Sequence, residues 1–410
     1  MAFYRVLGVA VLGSASLLGS ASLLSGCGAF FVCEGKSDCP VTNPTNPTNA
    51  GDFVYVSNST SGSDYISGYS LSGGALTAIS GADINLGFTP VAMVVSPSNG
   101  FLYVASDGSA TNSGVYVYSI NSSGVLTEIN NLDPLSNDVG IVSMDMSPDG
   151  NYLFTLSAPT LSGETILNEY QIDSTTGLPT VDNPTQFQAA IGTACSITNS
   201  GAPLSQLCTV KVSPNKDYVA VALAGTGFTV FPYTSSGGIT SATVGVQQEP
   251  ALSSTSGDFS LAFDKNNYLY VASTDALTPY SGLGGTLTQG TSYVYTANGG
   301  DDKPRSVTVT SNSGFVYTAN EDASTISGFS LSGTGGVTSL GNGVPGPTNV
   351  SALSVDNSGK YLVAAGYNTT NGLQVFTISS TGVLTAAGTP VGTAAYSTTA
   401  PVPVVMALSH

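Results

Sequence analysis

The sequence predicts an all-β fold: a seven-bladed β-propeller of four-stranded antiparallel meanders, closed by the C-terminal strand joining the first blade. Three observations carry this. One strand motif recurs seven times, its spacing is near that of a propeller blade, and the two chain ends supply complementary parts of a single copy.

The motif first appears as Phe53-Val54-Tyr55-Val56, and returns as Phe101-Leu102-Tyr103-Val104, Tyr152-Leu153-Phe154-Thr155 and Tyr218-Val219-Ala220-Val221. Tyr268-Leu269-Tyr270-Val271, Phe315-Val316-Tyr317-Thr318 and Tyr361-Leu362-Val363-Ala364 complete the series, at intervals of roughly 46 to 66 residues. Aromatic and β-branched residues of this kind suit a pleated strand. A second aromatic marks a later strand of each copy: Tyr69, Tyr118, Tyr170, Phe231, Tyr280, Phe329 and Phe376. A turn and a short strand follow, as in Gly74-Ala75-Leu76-Thr77, Gly124-Val125-Leu126-Thr127 and Gly382-Val383-Leu384-Thr385. Most copies are led by an apolar run and a tight turn, such as Met144-Asp145-Met146-Ser147-Pro148-Asp149-Gly150. Pro and Gly set the turn dihedrals there. Each unit is therefore a meander of four strands.

The phase of the repeat predicts closure. The first copy lacks a leading strand, whereas the segment from Pro403 to His410 aligns with the leading strand from Pro90 to Pro97. A ring joined this way hides the edges that an open β array would expose.

Composition agrees. Charged residues are only 8% of the chain, so hydroxyls and amides must cover the solvated faces. These side chains favour turns over helix interiors. The net charge of −17 excludes nucleic acid as a partner, because binding it needs a basic footprint. It equally excludes electrostatic docking on anionic lipid.

Residues 1–26 read as an export signal: Arg5, an apolar run from Val6 to Leu24, and the small-residue end Leu24-Ser25-Gly26-Cys27. That end resembles a lipobox, which implies acylation of Cys27 and a membrane-anchored lipoprotein of the bacterial cell envelope, at the outer membrane if the host has one. Residues 27–50 form a Pro/Thr/Asn tether, and 51–410 the propeller. Exported chains tolerate disulfides. The remaining cysteines fall into two local pairs, Cys33 with Cys39 and Cys195 with Cys208. Their spacing matches no zinc pattern.

The repeat resembles the lactonase-type seven-bladed propellers, including YVTN-repeat proteins and 6-phosphogluconolactonase relatives. The carriers are Ser147-Pro148-Asp149-Gly150, Leu102-Tyr103-Val104-Ala105-Ser106, and Val115-Tyr116-Val117-Tyr118-Ser119-Ile120 leading into Gly124-Val125-Leu126-Thr127. The resemblance implies the fold and a ring-opening hydrolysis of a sugar lactone. Fold alone does not fix function.

Candidate chemistry gathers in the sixth unit. Asp301, Asp302, Lys303, Pro304 and Arg305 precede its leading strand, and Asn320, Glu321 and Asp322 follow its second. Arg305 is the one arginine beyond the signal. By the resemblance it faces the channel, and its fork suits phosphate or carboxylate. The carboxylates have the chemistry of a general base or of a divalent-cation site. No other metal or cofactor site is expected. The competing account is a solvated loop in which Arg305 pairs with its acidic neighbours. Asp107 and Asp275, at matching positions in units two and five, read as turn-capping residues. The single histidine, His410, ends the chain, and no Gly-x-Ser-x-Gly elbow occurs. The longest interval contains an insertion from Asp182 to Gln206, expected over the channel mouth beside the sixth-unit cluster.

Two functions follow. One is a lipid-anchored module that binds a small molecule or an envelope protein, which the thin acid–base inventory favours. The other is a lactonase-like hydrolase. A channel-facing Arg305 beside Glu321 would favour the enzyme.

Overall fold

The computed structural model describes residues 52–60, 63–106, 114–131, 140–157, 165–178, 188–192, 208–223, 227–239, 246–248, 258–273, 276–294, 304–393 and 404–409. Cys27, Cys33, Cys39, Cys195, Asp107, Asp275, Asp301, Asp302, Lys303 and His410 lie outside them, with the signal, the tether and most of the 182–206 insertion. No helix occurs among the described residues, which form seven antiparallel sheets. The fold is the expected propeller.

Each recurrent motif is the second strand of its blade. These strands are Asp52–Thr60, Phe101–Ser106, Tyr152–Ser157, Tyr218–Ala222, Leu269–Ser273, Phe315–Asn320 and Tyr361–Ala365. On the channel side each pairs with an inner strand: Met406–Leu408, Pro90–Val95, Ile141–Met146, Thr209–Val212, Asp258–Phe263, Pro304–Val309 and Ala352–Val355, for blades 1 to 7. The meander is not uniform at the rim. In blades 1, 4, 5 and 6 two short segments, rather than one strand, pair with the third strand. In blade 1 the break falls between Ala78 and Ile84, where Gly81 takes a φ of 78°.

Both faces of each blade are buried, so alternation along a strand sorts residues between two neighbours rather than between core and water. Phe53 and Tyr55 pack towards blade 2, while Val54 and Val56 pack towards blade 7. Seven separate cores result, one between each adjacent pair of blades. This explains why the motif is almost wholly apolar.

Closure follows the phase of the repeat. Val54, Tyr55 and Val56 pair antiparallel with Leu408, Ala407 and Met406. One turn device seals every blade, joining inner to second strand. A hydroxyl or carboxylate at the end of the inner strand accepts the amide proton of the first aromatic. Ser147 Oγ thus holds Tyr152 N at 2.9 Å, Thr310 Oγ1 holds Phe315 N at 3.0 Å, and Asp356 Oδ1 holds Tyr361 N at 2.7 Å. In blade 1 the partners come from opposite ends of the chain, with Ser409 Oγ accepting from Phe53 N at 2.7 Å.

Candidate functional site

The inner strands build the channel wall in levels that the strand register defines. Side chains along each inner strand alternate between the two neighbouring blades, and residues of both sets border the channel. The upper channel level holds Ala92, Ser143, Thr209, Ser260, Ser306, Ala352 and Val405. The next holds Val94, Asp145, Lys211, Ala262, Thr308, Ser354 and Ala407, each paired with the third residue of a motif copy. A cavity of about 390 Å³ runs along this wall and is lined by residues of six blades, Arg305, Ser306, Thr308 and Lys211 among them.

Above these levels the pairing slips by one residue in blades 2, 3, 5 and 6. Such a bulge leaves one residue unpaired and re-aims its side chain. The residues concerned are Val91, Val142, Phe259 and Arg305. In the sixth blade that residue is Arg305, which borders the cavity, whereas Val91 and Val142 pack against inter-blade cores.

Arg305 lines the cavity, yet its side chain is only 5% exposed. Its Nε donates to Glu321 Oε2, and the two charges form an ion pair. Glu321 stands directly after the second strand, with its side chain 13% exposed. A buried guanidinium needs such a partner, since an uncompensated charge there is costly. Arg305 thus borders the cavity and pairs with an acidic neighbour, but as a buried ion pair and not on a solvated loop.

Asn320 plays a different part. It is buried, and its amide donates to Thr325 Oγ1 at 3.1 Å and Ser327 Oγ at 2.8 Å while accepting from Thr318 Oγ1 at 3.1 Å. Its polar atoms are committed to holding the loop that carries Glu321. Asp322 is exposed. Among the described residues no three His, Cys, Asp or Glu side chains converge as a metal site would require, and Asp301 and Asp302 lie outside them. Cys208 is buried at the head of the fourth inner strand; its expected partner lies outside the described residues.

The sequence reading missed the pair one level down. Lys211 Nζ lies 3.4 Å from Asp145 Oδ1, and Asp145 Oδ2 accepts from Val212 N at 2.8 Å. The signal was present: a lone charge between apolar neighbours in Met144-Asp145-Met146 and again in Val210-Lys211-Val212. Lys211 borders the cavity, and Asp145 reaches across to the inner strand of blade 4 that carries it.

Residues 284–401, which include Arg305 and Glu321, match the family described as Lactonase, 7-bladed beta-propeller. The fold is that of the lactonase-type seven-bladed propellers. A putative 6-phosphogluconolactonase from Bacteroides fragilis superposes with a TM-score of 0.66 at 14% identity, covering 88% of this chain and 99% of its own. The periplasmic gluconolactonase of Pseudomonas aeruginosa gives 0.65 at 16% identity, covering 88% and 99%. A putative 6-phosphogluconolactonase from Bacteroides uniformis gives 0.65 at 16%, covering 87% and 100%. At these identities the likeness is one of fold. No curated protein sequence matches the chain.

Proposed function

We propose that this protein is a lactonase-type hydrolase that opens a sugar lactone at the mouth of its channel. The observation that carries the reading is Arg305, which is placed by a strand bulge at the rim of the cavity and engaged there by Glu321. Hydrolysis of a lactone needs positive charge where the carbonyl oxygen becomes an oxyanion, and a group to take a proton from water. Arg305 supplies the first and Glu321 the second. Water adds to the carbonyl carbon as its proton passes to Glu321. The ring C–O bond then breaks, and the departing oxygen takes that proton to give the hydroxy acid. The match of residues 284–401 to the lactonase model and the names of the structural neighbours support the same class.

The test is hydrolysis of glucono-1,5-lactone and of its 6-phosphate, measured above the spontaneous rate, with Glu321→Gln and Arg305→Lys. Loss of the base is expected to lower kcat by about 100-fold or more. Lysine is not expected to rescue Arg305, because it offers a point charge instead of a planar fork. Wild-type protein that accelerates neither substrate overturns the proposal, and binding without turnover would favour an interaction module.

A further inference from the structure

We infer that the channel selects an uncharged, polyhydroxylated lactone over its phosphorylated counterpart, and that Lys211, Thr308 and Ser354, at one level of its wall, bind the hydroxyl-bearing end of that molecule. The inference rests on the hydrolase reading for its reaction and on separate residues for its recognition.

Charge balance is the first argument. Lys211 and Arg305 are the charged residues lining the described cavity, and each has its own carboxylate, Asp145 and Glu321 respectively. A phosphate entering here would meet two neutralised cations and the carboxylates that neutralise them. It would also have to lose its hydration shell inside a channel, which is costly for an anion without a net opposite charge. The field of a chain with net charge −17 opposes the approach of a dianion as well.

The second argument is donor and acceptor supply. Lys211 spends one N–H on Asp145 at 3.4 Å, and an ammonium has three. Thr308 and Ser354 line the same cavity, and their hydroxyls are without a hydrogen-bonding partner among the described residues. One level up, Ser260 Oγ and Ser306 Oγ accept from Val307 N and Leu353 N, each at 3.2 Å, which leaves their own protons to donate. A wall of hydroxyls with one ammonium–carboxylate pair offers both donors and acceptors at close spacing. A sugar hydroxyl, which is donor and acceptor at once, can use both.

Distance fits. Three residues of strand separate Arg305 from Thr308, about 10 Å along the channel. That interval is longer than a six-membered ring. The cavity of about 390 Å³ also lies within the range of small-molecule pockets.

The experiment uses the folded propeller with glucono-1,5-lactone, its 6-phosphate, and the corresponding gluconolactam, which keeps the ring hydroxyls and resists hydrolysis. We expect kcat/KM at least tenfold higher for the neutral lactone. Lys211→Met and Thr308→Val should each raise KM for it about five- to tenfold and weaken lactam binding to match, with kcat little changed. Thr308→Val is nearly isosteric and guards against a folding defect. Preference for the phosphate ester would overturn this inference and leave the hydrolase reading standing. Lactam binding weakened by both variants, without turnover of either lactone, would sink the hydrolase reading and keep the subsite. Variants that bind the lactam as tightly as the parent would remove the subsite.

Discussion

Glu169 shows how one residue can carry a consequence that its sequence position conceals. It lies on the third strand of blade 3, 5% exposed, and its Oε2 accepts from Ile239 N of blade 4 at 2.7 Å. Gly238 is required beside it, since a Cβ there would run into the carboxylate. Burial pushes the Glu169 carboxyl up to about 7 from its usual 4.5, and the Ile239 amide only partly offsets that. Tyr152 and Tyr233 stand close enough to feel its charge. Because the folded protein holds this proton more tightly than the unfolded chain, the contribution of Glu169 to stability is fully present below pH 4.5 and is lost as pH rises through about 7. The full span is on the order of 3 kcal/mol. Glu169→Gln keeps the acceptor and removes the titration. Its denaturation midpoint should therefore decline less from pH 5 to 8 than that of the parent, the remaining decline coming from Asp52, whose carboxyl burial raises to about 6; parallel curves would refute the assignment. Arg305 and Glu321 were legible because charge is so scarce in this chain. Glu169 was not, because nothing local to it announces a partner some 70 residues away.

At the scale of the element, the repeated aromatic and the repeated outer-turn glycine turn out to be partners. Several of these glycines seat against the first aromatic of the preceding blade's second strand: Gly124 on Phe53, Gly177 on Phe101, Gly335 on Tyr268 and Gly382 on Phe315. The second aromatic of several motif copies adds a bond to the same carbonyl, as Tyr103 Oη does to Gly177 O at 2.7 Å. Burial accordingly raises the Tyr103 phenol above its ordinary range. Both residue types were visible in the sequence as a repeat, but a period shows recurrence and not which copy touches which. The bulge that aims Arg305 was hidden for a similar reason, since one unpaired residue leaves no mark on a short apolar run. Gly177 has a φ of 70°, and a Cβ would lie 2.6 Å from the Phe101 ring. Gly73 has a φ of 59° with nothing within 4 Å. Alanine at Gly73 should cost roughly 1 kcal/mol from backbone strain alone. At Gly177 overpacking should add roughly 1–3 kcal/mol. Equal midpoints for the two variants in urea would show that the glycine is there for its turn and not for the ring beneath it.

For the whole molecule, what matters is that seven cores depend on one joint. Residues 404–409 complete blade 1 and form part of two cores, those towards blades 2 and 7. Val404, Ala407 and Leu408 are buried, and Ser351 Oγ of blade 7 donates to Val404 O at 2.9 Å. Ser57 exchanges two further bonds with Val405, each at 2.9 Å. Removing 404–410 would expose the edge of the strand at Val54–Val56 and uncover the cores on both sides. Burial of the valine and leucine alone is worth about 3–6 kcal/mol. That is a large share of the stability of an ordinary domain. An exposed strand edge also invites pairing with a second chain. Ser409→Ala is the graded control. It removes the side-chain acceptor for Phe53 N but leaves the backbone bond from Ser409 N to Phe53 O at 2.9 Å, so about 1 kcal/mol is expected. The point variant should therefore remain monomeric with a modestly lower melting temperature, while the truncated chain should aggregate or unfold on sizing chromatography. A truncated protein that runs as a monomer and melts with the parent would mean that the other blades hold the ring without this strand.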